Sequence, residues 1–68
     1  MKLTWKKKST RGCLTNYTIP EFPKWNQISE FDHVGVRNTY CVKIYGAPTR
    51  FFETRHQVED FIMSLLSL

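Results

Sequence analysis

The sequence predicts an α+β fold: a small antiparallel sheet of three to four strands packed against one C-terminal amphipathic helix. Three observations predict it. Apolar and polar side chains alternate with a period of two in 2–6, 13–19 and 40–45. Segments rich in Ser, Thr, Gly and Pro separate these runs. Apolar residues at helical spacing close the chain. At 68 residues the chain is a single domain, 1–68.

Leu3 and Trp5 alternate with Lys2, Thr4 and Lys6, the pattern of a half-buried strand. The segment 9–12 is turn-rich. Cys13, Thr15, Tyr17 and Ile19 then alternate with Leu14, Asn16 and Thr18, which completes an N-terminal hairpin. Pro20 and Pro23 break that strand, because proline has no N–H to donate to a ladder. Phe22, Trp25, Ile28 and Phe31 recur three apart. That spacing predicts a short helix or 3₁₀ segment starting near Pro23, or a loop pinned by its aromatics, with Gly35 ending it.

Tyr40, Val42 and Ile44 alternate with Cys41, Lys43 and Tyr45 in the clearest strand of the chain. Gly46, Ala47 and Pro48 form the turn, and 49–52 returns as the next strand. Thr54 is placed as an N-cap, with Gln57 as its reciprocal partner. Val58, Phe61, Ile62, Leu65 and Leu66 follow on one helical face, and Glu59 and Asp60 sit in the early turns, where the helix dipole favours acids. The helix is expected from about Arg55 to the chain end, packed across the sheet.

A chain this short buries only about 60% of its unfolded surface. Its ten aromatic residues supply the missing burial, at roughly 150–250 Å² each. No charged start followed by an apolar run marks a secretory signal, and no apolar run approaches the roughly 20 residues of a membrane helix. The expected compartment is the cytoplasm, with no membrane partner, and Cys13 and Cys41 are expected as reduced thiols. The acceptor pattern at Asn16, Tyr17 and Thr18 is then a chance match.

The charge is unevenly spread. Lys2, Lys6, Lys7, Lys8 and Arg11 fall in the first eleven residues with no acid among them, whereas the rest of the chain is near neutral and the total is +4. A basic end on a near-neutral body is a contact surface for an anion. In a nucleic-acid-binding module, these five cations would take phosphates, with Arg37 and Arg50 joining them if the fold brings them to the same side. Trp5 would stack on a base or wedge a step. Against this, lysines on an edge strand also prevent pairing with other chains, and Trp5 would serve the core equally well.

The aromatic residues offer a second reading. Strand neighbours alternate, so Tyr45 and one of Phe51 or Phe52 are expected on the outer sheet face unless 20–38 folds over them. Exposed rings there would stack on nucleic acid or anchor a protein partner. A small regulator or inhibitor, of the kind phages and mobile elements carry, would dock through Phe22, Trp25 or Tyr45. A basic rim would face an acidic protein surface and speed association more than it raised affinity. Leu65, Leu66 and Leu68 also leave self-association as a homodimer open.

No enzyme is expected. The sequence holds no glycine-rich phosphate loop, nucleophile elbow or paired metal carboxylates. His56 and Asp60 are four apart and would meet on the helix surface as a stabilising pair. Cys13, His33, Cys41 and His56 match zinc in number, but no two are close enough in sequence to nucleate a site, so neither a metal nor a cofactor is expected. Trp5 discriminates between the two binding readings. If it is buried, the basic strand loses its stacking group. Exposure of Trp25 or Phe22 would favour docking on a protein.

Overall fold

A computed structural model describes residues 2–32 and 39–67. The fold is α+β, a five-stranded antiparallel sheet and one C-terminal helix. The strands are β1 (Lys6–Arg11), β2 (Leu14–Thr18), β3 (Asn26–Phe31), β4 (Thr39–Ile44) and β5 (Arg50–Phe52), followed by α1 (Arg55–Leu66). They pair in chain order, so the sheet is a meander with β1 and β5 at its edges.

The sheet exceeds the expected three to four strands because 26–31 is its central strand, not a helix or pinned loop. The physical reason lies in what faces inward. Asn26, Ile28 and Glu30 point to the helix side, and two of these three are polar, so the alternation is invisible in the sequence. The three-residue recurrence of Phe22, Trp25, Ile28 and Phe31 spans a loop and both faces of a strand. Gly35 lies outside the described residues.

The first strand also starts later than expected. Residues 2–5 are not strand, although Leu3 is buried. The backbone N–H and hydroxyl of Thr4 instead donate to the Glu21 carboxylate, at 2.8 and 2.6 Å. β1 continues to Arg11, so the turn is only Gly12 and Cys13. Gly12 has φ +60, the first-position glycine of a tight hairpin turn. The register shifts between Lys7 and Ser9, which leaves Lys8 unpaired with β2. Gly46, with φ +82, occupies the third position of the β4–β5 turn, which the Ala47 N–H closes on the Ile44 carbonyl at 3.1 Å.

The core lies between the sheet and α1. Tyr17, Ile19, Ile28, Tyr40, Val42 and Ile44 from the strands meet Val58 and Ile62 of the helix. The capping box forms in full. The Gln57 N–H donates to the Thr54 hydroxyl at 3.1 Å, and the Gln57 side-chain oxygen accepts from the Thr54 and Glu53 N–H groups. Glu59 and Asp60 fall in the second turn, and the first turn has no acid. No helix among the described residues is long and apolar enough to cross a membrane.

The loop from β2 to β3 is held by one buried side chain. Asn26 accepts from the Ile19 N–H at 2.7 Å and donates to the carbonyls of Ile19 and Lys24 at 3.1 and 3.0 Å. It therefore bonds the backbone where Pro20 and Pro23 interrupt it, and it fixes the approach of Trp25 to the sheet.

Candidate functional site

The strand register assigns every strand residue to a face. Tyr17, Ile28, Val42 and Arg50 align across β2 to β5, as do Thr15, Glu30, Tyr40 and Phe52, and these rows face the helix. The opposite face carries the row Ser9, Asn16, Ser29, Cys41 and Phe51, which crosses all five strands. Beside it lie Lys6 and Thr18 on one side, with Gln27 and Lys43. Arg11, Leu14, Phe31 and Thr39 lie on the other.

The β3–β4 ladder runs one step past the strand ends, because the Tyr45 N–H donates to the Trp25 carbonyl at 2.9 Å. Alternation places Trp25 with Gln27 and Ser29, and Tyr45 with Lys43 and Cys41. The three large apolar side chains exposed among the described residues are Trp25 (55%), Tyr45 (73%) and Phe51 (69%). The register puts Phe51 on this face, and alternation assigns Trp25 and Tyr45 to its end, where Tyr45 also borders a groove shared with Ile44, Leu65 and Leu66. Among the strand residues assigned to this face, the charged ones are Lys6, Arg11 and Lys43, and none is an acid. Glu30 points inward, Glu21 bonds Thr4, and Glu59 and Asp60 are on the helix, while Asp32 and Glu53 flank strands β3 and β5.

The middle of the face is polar and already organised. The Asn16 side chain donates to the Ser9 hydroxyl at 3.1 Å and accepts from Ser29 at 2.7 Å and Gln27 at 3.4 Å. The amide is thereby oriented across three strands. Ser29 and Cys41 are buried.

The helix side holds a different cluster, which takes up Trp5. The Trp5 ring meets Tyr17 and Tyr40 edge-on, at 5.4 and 6.0 Å between centroids. The Arg55 guanidinium lies 4.7 Å over the indole. Glu30, only 15% exposed, accepts from Tyr40 at 2.6 Å and Tyr17 at 3.3 Å, and its carboxylate is 3.6 Å from Arg55. Burial opposes the charge of Arg55, but a hydrogen bond with Tyr40 and the nearby Glu30 carboxylate outweigh it and raise its pKa.

The structure thus divides the residues singled out in the sequence. Lys6, Lys7, Lys8 and Arg11 are all exposed on β1, with Lys6 and Arg11 on the open face and Lys7 paired to Tyr17 on the other. Lys2 borders a cleft beside His56, Glu59 and Asp60. Arg50 lies 5.2 Å over the Phe61 ring of α1, away from the open face. Arg37 and His33 lie outside the described residues. Phe22 is half-buried against the core. Trp5 is half-buried and engaged on both ring and N–H, so the basic strand has no stacking group of its own. The 20–32 segment does not fold over the outer face; part of it is β3.

Sequence reasoning did not select Lys43 and Phe51 together with Trp25 and Tyr45 as one surface. The alternation of 40–45 contained the signal for Lys43 and Tyr45, but the β3 register was needed to add Trp25. Both cysteines are free, Cys13 exposed and Cys41 buried. No protein-family model matches the chain, and no curated protein or solved structure is significantly similar to it.

Proposed function

We propose that the protein is a small non-enzymatic nucleic-acid-binding module whose contact surface is the open face of the sheet with the β1 edge. One observation carries this reading: exposed Trp25, Tyr45 and Phe51 share a face with Lys6, Arg11 and Lys43, and no strand residue of that face is a carboxylate. Cations there attract phosphates, and rings accept bases. Lys7 and Lys8 extend the positive edge. Trp5 and Arg50 serve the fold in this reading, and Lys2 stands apart, beside helix acids.

Fluorescence anisotropy of labelled DNA and RNA, titrated with the protein at several salt concentrations, tests it. Five engaged cations give a log–log salt slope of roughly −3.5 on a single strand and roughly −4.5 on a duplex. Replacing Lys6, Arg11 and Lys43 by Glu abolishes binding if the reading is right. No binding of any oligonucleotide at low salt would overturn it.

A second reading has its own observation. A groove of about 400 Å³ runs between the 22–24 loop, the β4–β5 turn and the end of α1, lined by Phe22, Ile44, Leu65 and Leu66 with Lys24. It suits a regulator that docks on an acidic protein surface, with Tyr45, which also lines the groove, as an anchor. This reading gains if nucleic acid fails to bind.

A further inference from the structure

We infer that the nucleic acid this face takes is single-stranded, with Trp25, Tyr45 and Phe51 as base-stacking residues. The inference rests on the nucleic-acid reading and specifies its substrate class. Duplex and single strand present different chemistry to a protein. A duplex stacks its bases on one another and offers only phosphates and groove edges. A single strand offers phosphates and free π-faces.

The geometry of the face suits the second. Five strands at about 4.8 Å spacing make it about 19 Å across, wider than the roughly 12 Å major groove, so the rings cannot be carried into a groove broadside. Trp25 and Tyr45 are cross-strand neighbours at one end of the β3–β4 ladder. Phe51 is the cross-strand neighbour of Cys41, four residues before Tyr45, which offsets the two positions by about 13–14 Å along the strand direction. Lys43 lies between them on the same face. The order ring, cation, ring, running from the end of β4 across to β5, offers an unpaired chain alternating contacts for bases and phosphate. Towards β1, the oriented Asn16, Ser9, Gln27 and Ser29 cluster leads to Lys6 and Arg11. Charge complementarity selects the occupant: the charged strand residues of this platform are all positive, so a polyanion with exposed rings covers it better than a neutral or acidic-and-basic protein surface.

The test compares labelled single-stranded DNA, single-stranded RNA and duplex DNA of about 12 nucleotides, all of mixed sequence, against the intact chain. At least one single strand should bind ten-fold or more tighter than the duplex, whether DNA or RNA. Phe51→Ala, Tyr45→Ala and Trp25→Ala should each weaken single-strand binding roughly five- to 150-fold, while the salt slope stays unchanged because stacking releases no counterions. Phe51→Tyr should retain affinity. All three rings are exposed, and unchanged thermal unfolding of each variant separates lost contact from lost fold. Equal or tighter duplex binding, or ring variants with wild-type affinity, overturns this inference and leaves the nucleic-acid reading standing. Failure of every oligonucleotide to bind at low salt overturns both.

Discussion

The indole N–H of Trp5 donates to the Glu59 carboxylate at 2.9 Å across the gap between the N-terminal segment and α1. This bond joins residues 54 apart in sequence, and the Arg55 guanidinium covers the same ring. The first conspicuous aromatic of the basic segment is therefore a clasp between segment and helix.

Trp5→Ala should accordingly act on stability. Removing the ring takes away the indole against which Tyr17, Tyr40 and Arg55 pack and the donor to Glu59, at a cost of about 2–4 kcal/mol. Urea denaturation measures it. Oligonucleotide affinity of the folded fraction should stay at the wild-type value, and a specific loss of affinity would return Trp5 to the binding surface.

Asn26 should be the most sensitive polar position. In Asn26→Ala the Ile19 N–H and the Lys24 carbonyl lose this partner beside a buried residue, and the Ile19 carbonyl keeps only the Phe22 N–H. The expected destabilisation is about 2–4 kcal/mol. Because the same side chain guides Trp25 to the sheet, amide hydrogen exchange should accelerate in 19–25 before the rest of the molecule opens.

Glu21 ties stability to acid pH. The Thr4 hydroxyl, and after it the Thr4 backbone N–H, hold its pKa below the ordinary 4.5. A carboxylate depressed in the folded state adds stability that is present above the unfolded pKa and lost as pH falls through the folded one. Thermal unfolding followed from pH 6 downward should show a loss setting in below about pH 4.5. Glu21→Gln should remove its share of that loss, seen as a shallower pH profile.

Thr54→Ala removes the hydroxyl that accepts from Gln57 N–H and should destabilise the protein by about 1 kcal/mol. Circular dichroism melting measures it. Gln57→Ala should cost a similar or smaller amount, and the double variant less than the sum, since both halves belong to one capping box.

Lys2→Glu and Arg50→Ala serve as charge controls. Both remove a cation away from the open face, so the salt slope of oligonucleotide binding should not change, whereas Lys43→Glu should make it shallower by the equivalent of at least one phosphate. Arg50→Ala will also lose the guanidinium–Phe61 contact, worth about 0.5–1 kcal/mol at an exposed site.

Local chemistry wrote several elements legibly into the chain. The alternation of Tyr40 to Tyr45, the Gly46 turn and the Thr54 and Gln57 pair each act over a few residues, so β4, its turn and the start of α1 could be read directly. So could the outward placement of Tyr45. The central strand β3 could not, because Asn26 and Glu30 occupy inward positions. A half-buried carboxylate there is held by Tyr17, Tyr40 and Arg55, and those partners come from β2, β4 and α1. For the same reason the sequence left Trp5 open between stacking and core, and its neighbours on the helix side decide it. Which rings share a surface with which cations depends on the register between strands, and register is set by pairing across the sheet rather than by any run of residues. The basic β1 was visible from composition alone, but its union with Trp25, Lys43, Tyr45 and Phe51 exists only once five strands are hydrogen-bonded in order.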